Sequence, residues 1–188
     1  MNFDLARALR RLKPQRGATS IKRRERAQLT YVTMPPSAGA EVLIDSCIYI
    51  DVLQARAPEA VKALLRTRIV NHSSVCLGEL THLFGRLNPA RRGTKAVLSE
   101  IQRVVQDIPD HRLTTPSETA MGEAGMLAGL VSRLTGAPRI EAPALFNDAC
   151  IYLHALERGW AVLTRNIRDY DLFDQLLPAG RLLLYEPE

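Results

Sequence analysis

Six polar residues sit where the apolar pattern of this chain leaves little room for solvation. Asp45 ends the apolar run "EVLID" at 41–45. Glu79, in "VCLGELTHLFG", has Cys76 at i−3 and Leu83 at i+4, which puts the acid on the apolar face of a helix. Asp148, in "ALFNDACIYLHALERG", shares its stripe with Ile151, Tyr152 and Ala155. Asn166 and Asp169 follow the run "WAVLT", whose last residue, Thr164, offers a hydroxyl to the same spot. An isolated buried carboxylate costs several kcal/mol unless it is paired, protonated or bound to a metal. Oxygen donors converging from four segments suit a hard divalent cation, Mg²⁺ or Mn²⁺. One or two such ions would support in-line displacement at a phosphodiester. Without the ion the acids repel one another and some of their pKa values rise.

Each residue also has a local explanation. Asp45 is a good helix N-cap and Asp148 a first-turn acid that complements the helix dipole. Glu79 could pair with Arg91 or Arg92, and Asn166 and Asp169 are common turn residues. These explanations are independent of one another, whereas one cation site accounts for all of the residues. The histidines, His72, His82, His111 and His154, lack paired ligand spacing and read as surface or satisfied core residues.

Strands alternating with helices must position this set. "EVLID" reads as a strand, followed by a helix to about Gln54 and another opened by Pro58, "PEAVKALLRTR". "IVNHSSV" is a second strand, "CLGELTHLFGRL" a helix, and "NPARRGTKAVLSEIQRVVQDIP" a longer one striped by Val97, Ile101, Val104, Val105 and Ile108. "HRLTT" reads as a third strand, with Thr115 as N-cap and Pro116 as first residue of a helix to about Leu134. Gly122, Gly125 and Gly129 in that helix point to close packing of another backbone. After the loop "TGAPRIEAP" come the Asp148 helix, the strand "WAVLT", a helix from "RDYDLFDQLL" and a last strand "RLLLY". This alternation implies a mostly parallel sheet covered on both faces, with ligands outside the carboxyl ends of its strands, where Asp45 falls.

The chain of 188 residues holds one domain plus an appendage. Its net charge of +5 is uneven: nine basic against two acidic residues make the first 30 residues +7, and the remainder −2. Residues 1–39 therefore read as a basic arm ending in the linker "TMPPSAGA", and residues 40–188 as the catalytic body. Such an arm either neutralises phosphates or stays solvated. Cys47, Cys76 and Cys150 are scattered without CxxC spacing, which argues for buried thiols, a reducing compartment and no zinc site. No apolar stretch reaches the roughly 18–20 residues of a membrane span, and the N-terminus lacks a secretory h-region. A soluble, cytoplasmic protein is expected.

From about residue 41 to 185 the motif order resembles a PIN-domain ribonuclease of the VapC toxin type. "VLIDSCIYIDVL" matches its first-strand motif, "SSVCLGELTHLFG" its Glu helix and "FNDACIYLHALERGWAVLTRNIRDYDLF" its signature stretch. The resemblance implies a PIN-like three-layer α/β/α fold with a five-strand sheet, and Mg²⁺- or Mn²⁺-dependent cleavage of RNA. It also implies homodimers and control by a small antitoxin. Asp45, Glu79 and Asp148 would be the metal-binding acids, with the fourth position at Asn166 or Asp169. Ser46, Thr164, Arg165 and Arg168 flank this set as candidate substrate contacts. The basic arm departs from the compact members of that family. Two alternatives remain. A nucleic-acid-binding or regulatory PIN-like protein with a degenerate, non-catalytic site would use the arm for binding. A phosphatase of the haloacid-dehalogenase type would need a second Asp where Cys47 stands.

Overall fold

The computed structural model describes residues 3–14, 20–34, 39–136 and 142–188. Residues 35–38 of the expected linker and 137–141 of the loop before the Asp148 helix lie outside them. Five short strands, β1 (Val42–Ile44), β2 (Val70–Ser73), β3 (Leu113–Thr114), β4 (Ala161–Thr164) and β5 (Leu182–Leu184), form one sheet in the order β3-β2-β1-β4-β5. Every pairing is parallel. Helices α1 (Leu5–Leu12), α2 (Ser46–Leu53), α3 (Glu59–Thr67), α4 (Ser74–Arg86), α5 (Thr94–Gln106), α6 (Glu118–Thr135), α7 (Ala142–Arg158) and α8 (Ile167–Leu176) complete the three-layer α/β/α arrangement. Among the described residues no helix is long and apolar enough to cross a membrane.

β1 is central because it is apolar throughout: Val42, Leu43 and Ile44 are all buried, as a parallel strand covered on both faces requires. The chain order reverses between β1 and β4, whose register places Ile44 opposite Leu163. Asp45 and Thr164 therefore leave the sheet side by side, at the switch point where such folds bind ligands. Beneath them α7 contributes its expected stripe, with Ile151, Tyr152 and Ala155 each at most 1 % exposed. His154 on the same helix is fully buried between the hydroxyls of Ser73 and Thr114, each 3.1 Å away, a satisfied core histidine.

Several local expectations are corrected. Ser117, not Thr115, caps α6, with its hydroxyl accepting from Ala120 N. Pro58 is the N-cap of α3 and not its first residue. Residues 88–93 form turns, and α5 begins at Thr94. Val97 is half exposed and leaves the α5 stripe to Ile101, Val104, Val105 and Ile108. Two glycines of α6 face side chains and not a backbone: a Cβ on Gly122 would meet the Phe3 ring at 2.5 Å and one on Gly125 the Phe146 ring at 4.0 Å, whereas a Cβ on Gly129 would meet nothing within 4 Å among the described residues.

The described part of residues 1–34 lies against the body. α1 buries Ala8 and Leu12 on α6, and Arg11 pairs with the buried Glu123. Arg24 holds Asp171 of α8 through its Nε at 2.5 Å and its backbone N–H at 2.8 Å, and holds Asp174 through Nη2 at 2.7 Å. Arg26 pairs with Glu186, and Tyr31 bridges in parallel to Leu184 at the edge of β5. Asp171 is fully buried, so loss of the Arg24 side chain leaves a desolvated carboxylate without its counter-charge, with only the backbone N–H of residue 24 and Gln175 Nε2 still donating to it. Breaking a wholly buried pair costs about 3–5 kcal/mol, and the 30 % exposure of the Arg24 side chain reduces this. Arg24→Ala is expected to lower stability by about 2 kcal/mol, or roughly 4–8 °C in a thermal melt. A melt unchanged from the parent chain would show that the arm is not anchored through this pair.

Candidate metal and active site

Asp45 is both the cap and the buried acid. It is the N-cap of α2, with Oδ1 accepting from Ser46 N at 2.6 Å, and it is 2 % exposed. Its Oδ2 accepts from Thr164 Oγ1 at 2.6 Å and from the Cys47 thiol at 3.1 Å. Burial raises its pKa, and these hydrogen bonds oppose the rise. Thr164, expected at the substrate, is fully buried, with its hydroxyl held between Asp45 and the Asn166 N–H at 2.9 Å. Ser46 is half-buried, its Oγ 3.5 Å from Asp45 Oδ1.

Asn166 joins the other acids. As N-cap of α8 it turns its carbonyl to the Asp169 N–H at 3.3 Å, which leaves its NH₂ for carboxylates. That NH₂ donates to Asp148 Oδ2 at 3.0 Å and to Asp169 Oδ2 at 3.1 Å. Asp148 has its pKa pushed up to about 9, first by desolvation and then by the charges of Asp45, Asp169 and Glu79. Glu79 accepts from Asn147 Nδ2 at 2.9 Å, not from Arg91 or Arg92, and its Oε2 is buried without a hydrogen-bond partner.

The four acids and Asn166 thus share one electrostatic neighbourhood at the carboxyl ends of β1 and β4. Among the described residues, however, no group of three or more His, Cys, Asp or Glu side chains is arranged to hold a metal ion. Each acid instead accepts from a protein donor, namely Thr164, Cys47, Asn166 or Asn147. By chemistry the donors fit a hard cation, being oxygens throughout, one of them orphaned on Glu79. Arg168, more than half exposed, lies 3.7 Å from Asp169 Oδ1. Arg165 is tied by its Nε to Asp51, 3.1 Å away.

Three contributors escape a reading of the sequence. Asn147 was legible only as the neighbour of Asp148. Cys47 was taken for a buried thiol in an apolar setting, yet it is half-buried and donates to Asp45. Asp51 was visible as an acid three residues after Ile48 in an otherwise apolar helix, the same signal that marks Glu79.

The architecture is shared, at low identity, with chains of solved complexes. A chain of VapBC2 from Rickettsia felis, bound to a DNA fragment from its promoter, matches with a TM-score of 0.52 and 14 % identity over 77 % of this chain and 98 % of that one. A chain of FitAcB from Neisseria gonorrhoeae matches with a TM-score of 0.53 and 18 % identity over 76 % of this chain and 96 % of its own length. At these identities the likeness is one of fold. No protein-family model and no curated protein matches the chain.

The raised pKa of Asp148 has a definite sign. Between its ordinary value of 3.8 and about 9 the native chain holds a proton that the unfolded chain has lost, so stability falls as pH rises through that window. Asparagine mimics the protonated carboxyl. In EDTA-treated protein Asp148→Asn is expected to raise the melting temperature by roughly 5 °C at pH 8, and the gain should vanish near pH 4. Parallel stability curves for the two proteins across that range would contradict the shift.

Proposed function

We propose that the chain is a divalent-metal-dependent endoribonuclease of the VapC type, acting in the cytoplasm under the control of an antitoxin. The observation that carries this reading is the convergence of Asp45, Glu79 and Asp169 on Asp148 at the β1/β4 switch point, close enough for the charge of each to act on the Asp148 carboxyl. Acids kept together there at a cost to stability call for a counter-charge. The likeness of fold to chains of VapBC2 and FitAcB supports the family reading. An antitoxin segment over the acidic end of the sheet and a homodimer belong to the same proposal.

Asp45, Glu79 and Asp148 would hold Mg²⁺ or Mn²⁺, with Asn166 and Asp169 at the edge of the set. When bound, such an ion supplies Lewis-acid chemistry: it acidifies a water and offsets charge developing on the phosphodiester. The chain's own residues prepare for it. Thr164 and Cys47 aim Asp45 from behind. Asp148 would give up its proton on becoming a ligand, so metal binding would strengthen with rising pH. Asn166 keeps Asp148 and Asp169 together while both lack a cation. Ser46, Arg165 and Arg168 border the acids; Arg168, more than half exposed, suits an RNA phosphate, whereas Arg165 is committed to Asp51.

A second reading rests on one observation: the acids are turned to protein donors, and an amide stands where a fourth acid would complete the set. A PIN-like nucleic-acid-binding protein with a non-catalytic site would look the same. Metal separates the two. Mn²⁺ at about 100 times its dissociation constant stabilises the folded state by about 2.7 kcal/mol. The nuclease reading expects that shift, together with RNA cleavage that EDTA abolishes and that Asp148→Asn lowers by at least about 100-fold without unfolding the chain. A Mn²⁺-insensitive melt with no cleavage favours the binding module, and a fully active Asp148→Asn enzyme removes Asp148 from the mechanism.

A further inference from the structure

Asp51 is a buried acid that the proposed chemistry does not use. It lies on the second turn of α2, six residues after Asp45, and is fully buried. Its Oδ1 accepts from Arg56 Nη2 at 2.8 Å. Its Oδ2 accepts from Tyr185 Oη at 2.7 Å and lies 3.1 Å from Arg165 Nε. The three partners come from the turn after α2, the residue following β5 and the β4–α8 loop. Two arginines exceed what one carboxylate needs for neutrality, so the arrangement calls for a reason beyond charge balance.

The position of Arg165 supplies that reason. It stands between Thr164, whose hydroxyl binds Asp45, and Asn166, whose NH₂ joins Asp148 to Asp169. Both contacts originate in three consecutive residues, the last of β4 and the first two of the β4–α8 loop, and the middle one is gripped from below. Tyr185 reinforces the grip, since its N–H donates to Thr164 O at 3.3 Å and its hydroxyl lies 3.8 Å from Cys47 Sγ.

We propose that Asp51 is a positioning residue for the acid site, and that its ion pair with Arg165 sets the course of the chain from the end of β4 into the β4–α8 loop, on which the Thr164–Asp45 and Asn166–Asp148–Asp169 contacts depend. The effect expected on metal binding rests on the nuclease reading, whereas the effect on Asn166 does not. Arg56 supplies an internal control. It pairs with the same carboxylate and is exposed to a similar degree, 40 % against 33 % for Arg165, but it lies outside the loop.

The test compares Asp51→Asn, Arg165→Met and Arg56→Met in the full chain. Three quantities are read: the melting temperature in EDTA, the NMR resonances of the Asn166 side-chain amide in EDTA, and the Mn²⁺ dissociation constant by calorimetry. Asp51→Asn and Arg165→Met are expected to shift the Asn166 amide and weaken Mn²⁺ binding by roughly 10–100-fold, the range for residues that orient metal ligands. The double variant should be no worse than the weaker single one. Arg56→Met should lower the melting temperature comparably and leave the Asn166 amide and the Mn²⁺ affinity as they are. An Asn166 amide unmoved by Arg165→Met, or moved as far by Arg56→Met, overturns the proposal. Should Asp51→Asn fail to fold, the two arginine variants carry the comparison alone. Should the parent chain bind no Mn²⁺ and cleave no RNA, the nuclease reading falls and the Asn166 amide still decides the positioning role.

Discussion

One hydrogen bond sets the character of this molecule: the Thr164 hydroxyl on the buried Asp45 carboxylate, 2.6 Å across the ends of two parallel strands. Neither residue could be where it is without the other. A carboxylate at the end of a central strand is removed from water by the helices that cover both faces of the sheet, and desolvation is the largest influence on its ionisation. Thr164 returns part of that lost solvation. It does so because β1 and β4 are neighbours in register although 119 positions separate the two residues. The rest of the site is arranged around this bond, from the Asn166 N–H on the same hydroxyl to the acids that Asn166 joins.

The buried and half-buried acids here fall into two classes with opposite physics. Asp51, Glu123 and Asp171 are matched by arginines: Arg56 and Arg165 for the first, Arg11 for the second, Arg24 for the third. Those pairs tie together parts of the chain that share no strand, including the basic segment before β1. Asp45, Asp148 and Glu79 are matched only by neutral donors, and Asp148 keeps its proton well above the ordinary carboxylate range. A protein that places arginines on the buried Asp51, Glu123 and Asp171 and withholds them from Asp45 and the half-buried Asp148 and Glu79 leaves the second group open to an external cation. The charge pattern, more than any single residue, separates the parts of the interior that hold the fold from the part suited to chemistry.

The fold was largely legible from periodicity. β1, β4 and β5 emerged as apolar runs, β2 and β3 as the more polar stretches "IVNHSSV" and "HRLTT", and alternation with helices pointed to a parallel sheet. Errors collected where side-chain identity under-determines local backbone. Thr115–Pro116 is as good a helix start as Ser117, and the choice fell to Ser117 because its hydroxyl reaches the Ala120 N–H while Glu157 holds it from α7. Val97 obeys the α5 period but faces away from the core, because α5 packs mainly on α4 and needs only a narrow stripe. The α6 glycines suggested a close backbone, and the Phe3 ring met Gly122 instead, from a segment whose sequence reads as polar arm.

Residue type and order alone determined which acids lie on apolar faces, because burial of a carboxylate leaves a local signature in the period of its neighbours. That is how Asp45, Glu79 and Asp148 could be grouped before any coordinates. Which donors they turn to was decided only in three dimensions. Thr164, Asn147 and Asn166 become partners through strand register and helix docking, contacts between residues far apart in the chain that no local pattern encodes. The same holds for Arg165, which read as an exposed cation beside the site and is drawn to Asp51 because a desolvated carboxylate attracts a nearby guanidinium more strongly than water does.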